Sequence, residues 1–125
     1  MKQTMWTISK TFQFSASHQL DHLKDGHPCK ELHGHNYKAT FEFSANRLNE
    51  NSFVIDYREL KTIKVFIDST LDHNHLNKVM IEPSTVENIS KLLFETFKPT
   101  FPLLVAVSVS ETDGTNCRYE PGRCQ

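Results

Sequence analysis

The segment HNYKATFEFSAN, residues 35–46, alternates between apolar and polar side chains over most of its length. Its apolar positions all have odd numbers: Tyr37, Ala39, Phe41, Phe43 and Ala45. Because successive side chains of a strand point to opposite faces, the pattern predicts a β-strand with one buried face. The rest of the chain can be placed relative to that face.

A second strand is predicted upstream, over residues 5–18, where the alternation is partial. Its apolar side chains share even parity: Trp6, Ile8, Phe12, Phe14 and Ala16. Residues 19–34, between the two strands, contain an Asp-Gly and a His-Pro dipeptide, which favour loops. The two strands and this loop together predict a hairpin.

Downstream of residue 50 the apolar period changes from that of a strand to that of a helix. Apolar residues recur at helical spacing after Asp56, the expected N-cap, and again from Thr85 to Lys98. Residues 103–109 return to strand alternation, and a turn leads to a short strand near Cys117 to Tyr119. The order β-β-α-α-β-β predicts an α+β domain in which a four-stranded antiparallel sheet carries two helices on one face.

Composition limits the class of protein. The chain has 125 residues, 38 % of them hydrophobic and 23 % charged, with a net charge of −1, so we predict one globular domain over residues 1–125. It has no basic stripe for nucleic acid, no apolar run near the roughly 20 residues of a membrane span and no signal-peptide pattern. We therefore expect a soluble cytoplasmic protein. Three cysteines, with Cys124 in the expected terminal tail, do not indicate a disulfide framework.

Strand parity brings three histidines together. His18 has the parity of the buried row of the first strand, and His33 and His35 have that of Tyr37 in the second. All three should extend the apolar face at the same end of the hairpin, where the loop closes. Three imidazoles and an open position are typical of catalytic Zn²⁺ sites. The alternative is that they are ordinary polar loop residues.

The nearby cysteine leaves two interpretations open. Cys29 precedes the histidine pair in CKELHGHNY, residues 29–37. It would make the site structural if it completed a His₃Cys tetrahedron around the metal. If it stands free, a neighbouring cation and histidines favour its thiolate form. Spacing alone does not decide between these two.

Six segments, in chain order, resemble the 6-pyruvoyltetrahydropterin synthase family: FSASHQL (14–20), CKELHGHNY (29–37), VIDYRELK (54–61), LDHNHLN (71–77), STVENI (84–89) and ETDGTNCRY (111–119). The resemblance spans nearly the whole chain and implies the tunnelling fold (T-fold). It also implies Zn²⁺ on His18, His33 and His35. It assigns Cys29 to proton transfer and not to the metal.

The same resemblance implies further site residues. It makes Asp72 and His73 the partner dyad of the cysteine, Glu111 the anchor of a pterin ring and Thr85 a substrate contact. Taken alone, Asp72-His73 fits the C-terminus of a helix, and Glu111 fits a strand-end carboxylate turned to solvent. The sequence departs from the family's frequent P-T-x-E pattern at Ser84, which takes the proline position.

The spacing of the cysteine narrows the expected reaction. The C-x₃-H-G-H form resembles the bacterial 6-carboxytetrahydropterin synthases of queuosine (7-deazaguanine) synthesis. That implies a lyase that converts 7,8-dihydroneopterin triphosphate to 6-carboxy-5,6,7,8-tetrahydropterin and releases acetaldehyde and triphosphate. The alternatives are a 6-pyruvoyl synthase, which eliminates triphosphate, a non-catalytic zinc-stabilised pterin-binding protein, and an unrelated His₃ zinc hydratase or hydrolase. Lys24, Lys30 and Arg118 are candidate cations for the triphosphate.

Unpaired sheet edges predict self-assembly. A four-stranded sheet has two edges, which proteins usually cover or pair. Members of the resembled family close their subunit sheets into a barrel, with active sites between subunits. We therefore expect a homo-oligomer, a hexamer of two stacked trimers, in which Cys29 and the Asp72-His73 pair come from different chains.

Overall fold

A computed structural model describes residues 4–122, so Cys124 lies outside the described residues. Its first feature is a long antiparallel hairpin of β1 (Trp6–His18) and β2 (His33–Ala45), in continuous register along both strands. The two predicted strands are confirmed. β2 begins two residues earlier than the alternation indicated, because His33 lies directly opposite His18 and extends the ladder.

The first helical region is not one regular helix. A 3₁₀ turn (Tyr57–Leu60) leads into α1 (Lys61–Phe66), which continues as a π-helical turn (Ile67–Leu71). Asp56 begins the region as predicted, because its carboxylate accepts a hydrogen bond of 2.9 Å from the N–H of Arg58. This irregular end determines where the next residues enter the site.

The second helix, α2 (Val86–Phe97), agrees with the sequence pattern. Thr85 is its N-cap: the hydroxyl accepts a hydrogen bond of 3.3 Å from the N–H of Asn88. Such caps satisfy one of the donors that a helix N-terminus leaves free. Among residues 4–122, no helix has the length and apolar character needed to cross a bilayer.

The sheet has five strands and not the predicted four. Its order is β3-β1-β2-β4-β5, with β3 at Asn74–His75, β4 at Leu104–Ser110 and β5 at Cys117–Tyr119. β3 runs parallel to β1, so the sheet is mixed. The sequence missed this strand because two residues are too few to show an alternation.

One face of the sheet forms the core and the other is polar. The odd-numbered row of β2 is buried, and the ring of Phe41 contacts Phe12 of β1 and Phe97 of α2. Phe97 also contacts Phe66 of α1, so both helices cover the same face, as predicted. Trp6, in contrast, is 44 % exposed at the far end of β1. The buried row therefore runs toward the His18 end of the hairpin.

Candidate metal centre and catalytic cleft

The three predicted histidines converge at the end of the β1–β2 hairpin. One ring nitrogen from each of His18, His33 and His35 lies within 4.8 Å of the others. The Nε2 atoms of His18 and His33 are 2.9 Å apart. His18 is buried, with 1 % of its surface exposed, and the other two are half-buried. Strand parity thus correctly placed the three side chains together.

The hydrogen bonds behind these rings determine which nitrogen faces the cluster. Nδ1 of His18 lies 2.9 Å from the carbonyl oxygen of Ser84, and Nδ1 of His33 lies 2.7 Å from that of Glu31. A carbonyl oxygen only accepts hydrogen bonds, so each Nδ1 carries the proton. In the neutral rings, both Nε2 lone pairs then point toward the cluster.

This arrangement fits a divalent cation. Burial lowers the pKa of His18, an effect reinforced by the neighbouring His33 and His35 and opposed by the Ser84 carbonyl, so the neutral ring is favoured. Two lone pairs at 2.9 Å repel each other unless a cation lies between them. Neutral imidazoles whose second nitrogen donates to a carbonyl are the usual ligands of Zn²⁺.

Glu111 lies beside the histidine cluster. It follows the last residue of β4, and its Oε2 is 3.5 Å from Nε2 of His35. Burial raises the pKa of Tyr37, and the negative charge of Glu111 adds to this effect. The Glu111 side chain keeps 32 % of its surface exposed. The carboxylate is therefore close to the core face yet open to a ligand.

An open cleft of about 850 Å³ lies next to the cluster. It contains three of the predicted site residues, namely His35, His73 and Glu111. The polar side chains of Ser17 and His75 also line it. A volume of this size is in the range of pockets that hold small organic ligands.

Asp72 and His73 form a hydrogen-bonded pair at the edge of this cleft. Nδ1 of His73 is 2.9 Å from Oδ2 of Asp72. The backbone N–H of Ser15 donates to Asp72 Oδ1 at 2.8 Å, and the N–H of His73 donates to the Ser15 carbonyl at 2.6 Å. The hydrogen bond from the Ser15 N–H lowers the pKa of Asp72, and the contact with His73 adds to this effect. The carboxylate is therefore ionised and holds the proton of His73 on Nδ1.

Backbone geometry explains how neighbouring residues make this contact. The π-helical turn ends at Leu71, and His73 has a φ of 60°, in the left-handed region that non-glycine residues rarely adopt. π-Helical turns and strained residues occur often at functional sites. The pair thus lies just beyond the end of a helical region, where the sequence alone had placed it. Its two side chains are nevertheless aligned with each other.

Cys29 lies in a separate turn. It is the middle residue of the 3₁₀ turn Pro28–Lys30, and its carbonyl accepts a hydrogen bond of 3.0 Å from the N–H of Leu20. Its thiol is free and half-buried. Within residues 4–122 of a single chain, Cys29 neither joins the three-histidine group nor lines the cleft that contains His73.

The remaining predicted contacts lie outside the cleft lining of the described chain. Thr85 serves as the cap of α2. Lys30 is paired with Asp25, and Arg118 with Glu42. The sequence did not predict that the backbone of Ser15 would bond Asp72 and His73, or that the backbone of Ser84 would bond His18. The one signal for either residue was the departure from the family pattern at Ser84.

Three comparisons agree on one family. Residues 7–122 match the family described as 6-pyruvoyl tetrahydropterin synthase. The chain is 34 % identical to the 6-carboxy-5,6,7,8-tetrahydropterin synthase of Synechocystis sp., covering 92 % of this chain and 93 % of that protein. It is 39 % identical to a putative 6-carboxy-5,6,7,8-tetrahydropterin synthase of Archaeoglobus fulgidus, over 70 % and 71 % of the two chains. The solved structure of 6-pyruvoyl tetrahydropterin synthase from Caenorhabditis elegans superposes with a TM-score of 0.83 at 25 % identity, covering 98 % of this chain and 99 % of that one.

Proposed function

This chain belongs to the 6-pyruvoyl tetrahydropterin synthase family, and we propose that it is a zinc-dependent 6-carboxy-5,6,7,8-tetrahydropterin synthase acting in the queuosine (7-deazaguanine) pathway. Its substrate is 7,8-dihydroneopterin triphosphate. The observation that carries the proposal is the convergence of three imidazoles, the Glu111 carboxylate and the Asp72-His73 pair around one cleft. The similarity to the 6-carboxy-5,6,7,8-tetrahydropterin synthase of Synechocystis sp. and to the putative one of Archaeoglobus fulgidus supports the carboxy product.

The proposed reaction balances without an external reductant. One water is taken up. The C1′–C2′ bond breaks, so that C2′ and C3′ leave as acetaldehyde, and the C3′–O bond breaks, so that triphosphate leaves. The ring gains two hydrogens as C1′ is oxidised to the carboxylate. The reaction therefore needs groups that move protons on the side chain, stabilise negative charge and hold the ring in one orientation.

Charge stabilisation and proton transfer each have candidate residues in this chain. Zn²⁺ on His18, His33 and His35 would act as a Lewis acid that stabilises negative charge on the side chain by several kcal/mol. Cys29 removes a proton as a thiolate. His73, held by Asp72 so that Nε2 carries the lone pair, takes or gives the second proton. General acid–base groups of this kind contribute about 10²–10⁴-fold each.

The arrangement of Cys29 supports a site shared between subunits. Within one chain it does not line the cleft that contains His73. The outer edge of β1, residues 6–14, has no strand partner in the described part of the chain, which leaves it open to pair with a neighbouring copy. We assign the protein to a homo-oligomer, a hexamer of two stacked trimers, in which one subunit supplies Cys29 and another supplies His73.

Product analysis tests the reaction directly. Zinc-loaded protein is incubated with 7,8-dihydroneopterin triphosphate, and the products are identified by chromatography and mass spectrometry. Acetaldehyde together with 6-carboxytetrahydropterin is the expected result. Triphosphate with a pyruvoyl product would replace the proposal with the 6-pyruvoyl activity, and bound but unchanged pterin would indicate a binding protein.

Replacing Glu111 with glutamine is expected to raise KM by about 10–100-fold with a smaller effect on kcat. A pterin presents an amino group and a ring N–H side by side, and a carboxylate accepts from both. Glutamine offers one acceptor and turns a donor toward a donor, which removes a charged hydrogen bond of about 1.5–3 kcal/mol. Steady-state kinetics measures the split.

The matched control for this variant is Asp113→Asn. Asp113 lines the same cleft, but its side chain is 99 % exposed, so the change removes the same charge and leaves the half-buried Glu111 carboxylate in place. We expect its KM to stay within about twofold, as for a screened surface charge. Equal effects of the two variants would mean that the net charge of the cleft matters and not a direct contact with the ring.

A further inference from the structure

A carboxamide behind the metal ligand His18 holds the end of β1. The Oδ1 atom of Asn77 accepts a hydrogen bond of 2.9 Å from the N–H of Gln19, and its Nδ2 donates to the Gln19 carbonyl at 2.8 Å. Both backbone groups of the residue that follows His18 are therefore bound by one side chain. This contact fixes the position of the backbone directly beside the ligand.

The same carboxamide reaches the group that orients the His18 ring. The hydroxyl of Ser84 donates to Asn77 Oδ1 at 3.3 Å, and it also lies 3.3 Å from Nδ1 of His18. Ser84 is fully buried, and its carbonyl is the acceptor for that Nδ1 at 2.9 Å. Asn77 thus contacts both the chain that carries His18 and the residue that sets its tautomer.

Asn77 is itself held in place by the core. It is the middle residue of the 3₁₀ turn Leu76–Lys78, and the Leu76 side chain is fully buried. This turn directly follows β3, and Ser84 directly precedes the cap of α2. The carboxamide therefore joins the end of β1, the segment after β3 and the entry to α2 around one imidazole.

We infer that Asn77 is a positioning residue which, together with Ser84, holds His18 in its ligand orientation and thereby sets the affinity of the site for the metal. Groups that hydrogen-bond metal ligands from behind commonly change metal affinity by 10–100-fold when removed. Ser84 holds the His18 ring at Nδ1, and Asn77 holds the backbone next to His18. The ring therefore loses little freedom when it binds the ion. The inference rests on the metal assignment of the proposed function.

The test is the zinc affinity of Asn77→Ala, measured by competition with a chromophoric chelator on the full-length protein. We expect a loss of at least about tenfold, with a changed visible spectrum of the Co²⁺-loaded protein because the ligand geometry loosens. Asn49→Ala is the matched control. Like Asn77, Asn49 makes two hydrogen bonds to the backbone, but it accepts both, from the N–H groups of Asn51 and Phe53, and it lies in the loop that follows the far end of β2.

The outcomes separate the inference from the proposed function. A failure of the unchanged protein to bind zinc would overturn the metal assignment and this inference with it. Zinc binding by the unchanged protein with equal affinity in Asn77→Ala, or an equal loss in Asn49→Ala, would overturn the inference alone. Should Asn77→Ala not fold, Ser84→Ala decides, because it removes a single buried hydroxyl. We expect an affinity loss of about two- to tenfold there, and no loss would count against the inference.

Discussion

Replacing His33 with alanine is expected to abolish zinc binding and turnover together while leaving the fold intact. Two imidazoles remain, which is fewer than the three protein ligands of catalytic zinc sites. His33 is the better choice than His18 because it is half-buried at the loop end, whereas His18 is 1 % exposed and supports the core. The measurements are metal content after gel filtration and the rate of product formation.

The same variant should also change how zinc affects the free energy of unfolding. Alanine at position 33 removes one of the two Nε2 atoms that lie 2.9 Å apart and would together hold the ion. A ligand at a free concentration of 100 times its Kd stabilises a fold by about 2.7 kcal/mol. Zinc should therefore raise the free energy of unfolding of the unchanged protein and have no effect on His33→Ala.

The control for this prediction is another histidine of the same loop region. His22 is exposed and does not belong to the three-histidine group. His22→Ala should keep its zinc, its thermal response to zinc and its activity. If the His33→Ala protein still held one zinc per chain, the metal would have to use ligands other than the three-histidine group.

Strand parity predicted the histidine cluster because the information is local. His35 and Tyr37 are two residues apart on one strand, and His18 follows the buried row of its own strand in the same way. Once β1 and β2 pair as a hairpin, the three side chains have to lie at one end of the same face. No long-range information was needed beyond that pairing.

The position of the Asp72-His73 pair depends on contacts that no local pattern shows. β3 has two residues and pairs with β1 through backbone groups, and the preceding turn is π-helical and not α-helical. His73, which has a left-handed backbone, donates its N–H to the carbonyl of Ser15, a residue 58 positions upstream. The resemblance to the family implied which residues form the pair, but nothing in the sequence showed how they align.

Cys29 is the proposed site residue that the structure of a single chain does not bring to the cleft. Its turn is fixed locally, since Pro28 begins it and the Cys29 N–H donates to Nδ1 of His27 at 3.0 Å. In the proposed oligomer, the groups that surround Cys29 include those of a neighbouring copy, and neither the alternation of strands nor the structure of one chain contains that information. Experiments on Cys29 therefore test the chemistry and the assembly together.

Replacing Cys29 with alanine is expected to lower kcat by about 10²–10⁴-fold, which is the range for a lost general base. One zinc per chain should be retained. The thiol does not belong to the histidine group, so its removal takes no ligand from the metal. The control is Cys117→Ala on β5, which removes a half-buried thiol that lies 3.8 Å from the hydroxyl of Ser90 on α2, and it should leave kcat unchanged. Zinc lost with the Cys29 thiol would support a structural His₃Cys site and overturn the catalytic assignment.

Mixed oligomers of Cys29→Ala and His73→Ala should regain part of the activity if different subunits supply the two residues, because some interfaces then combine the two intact side chains.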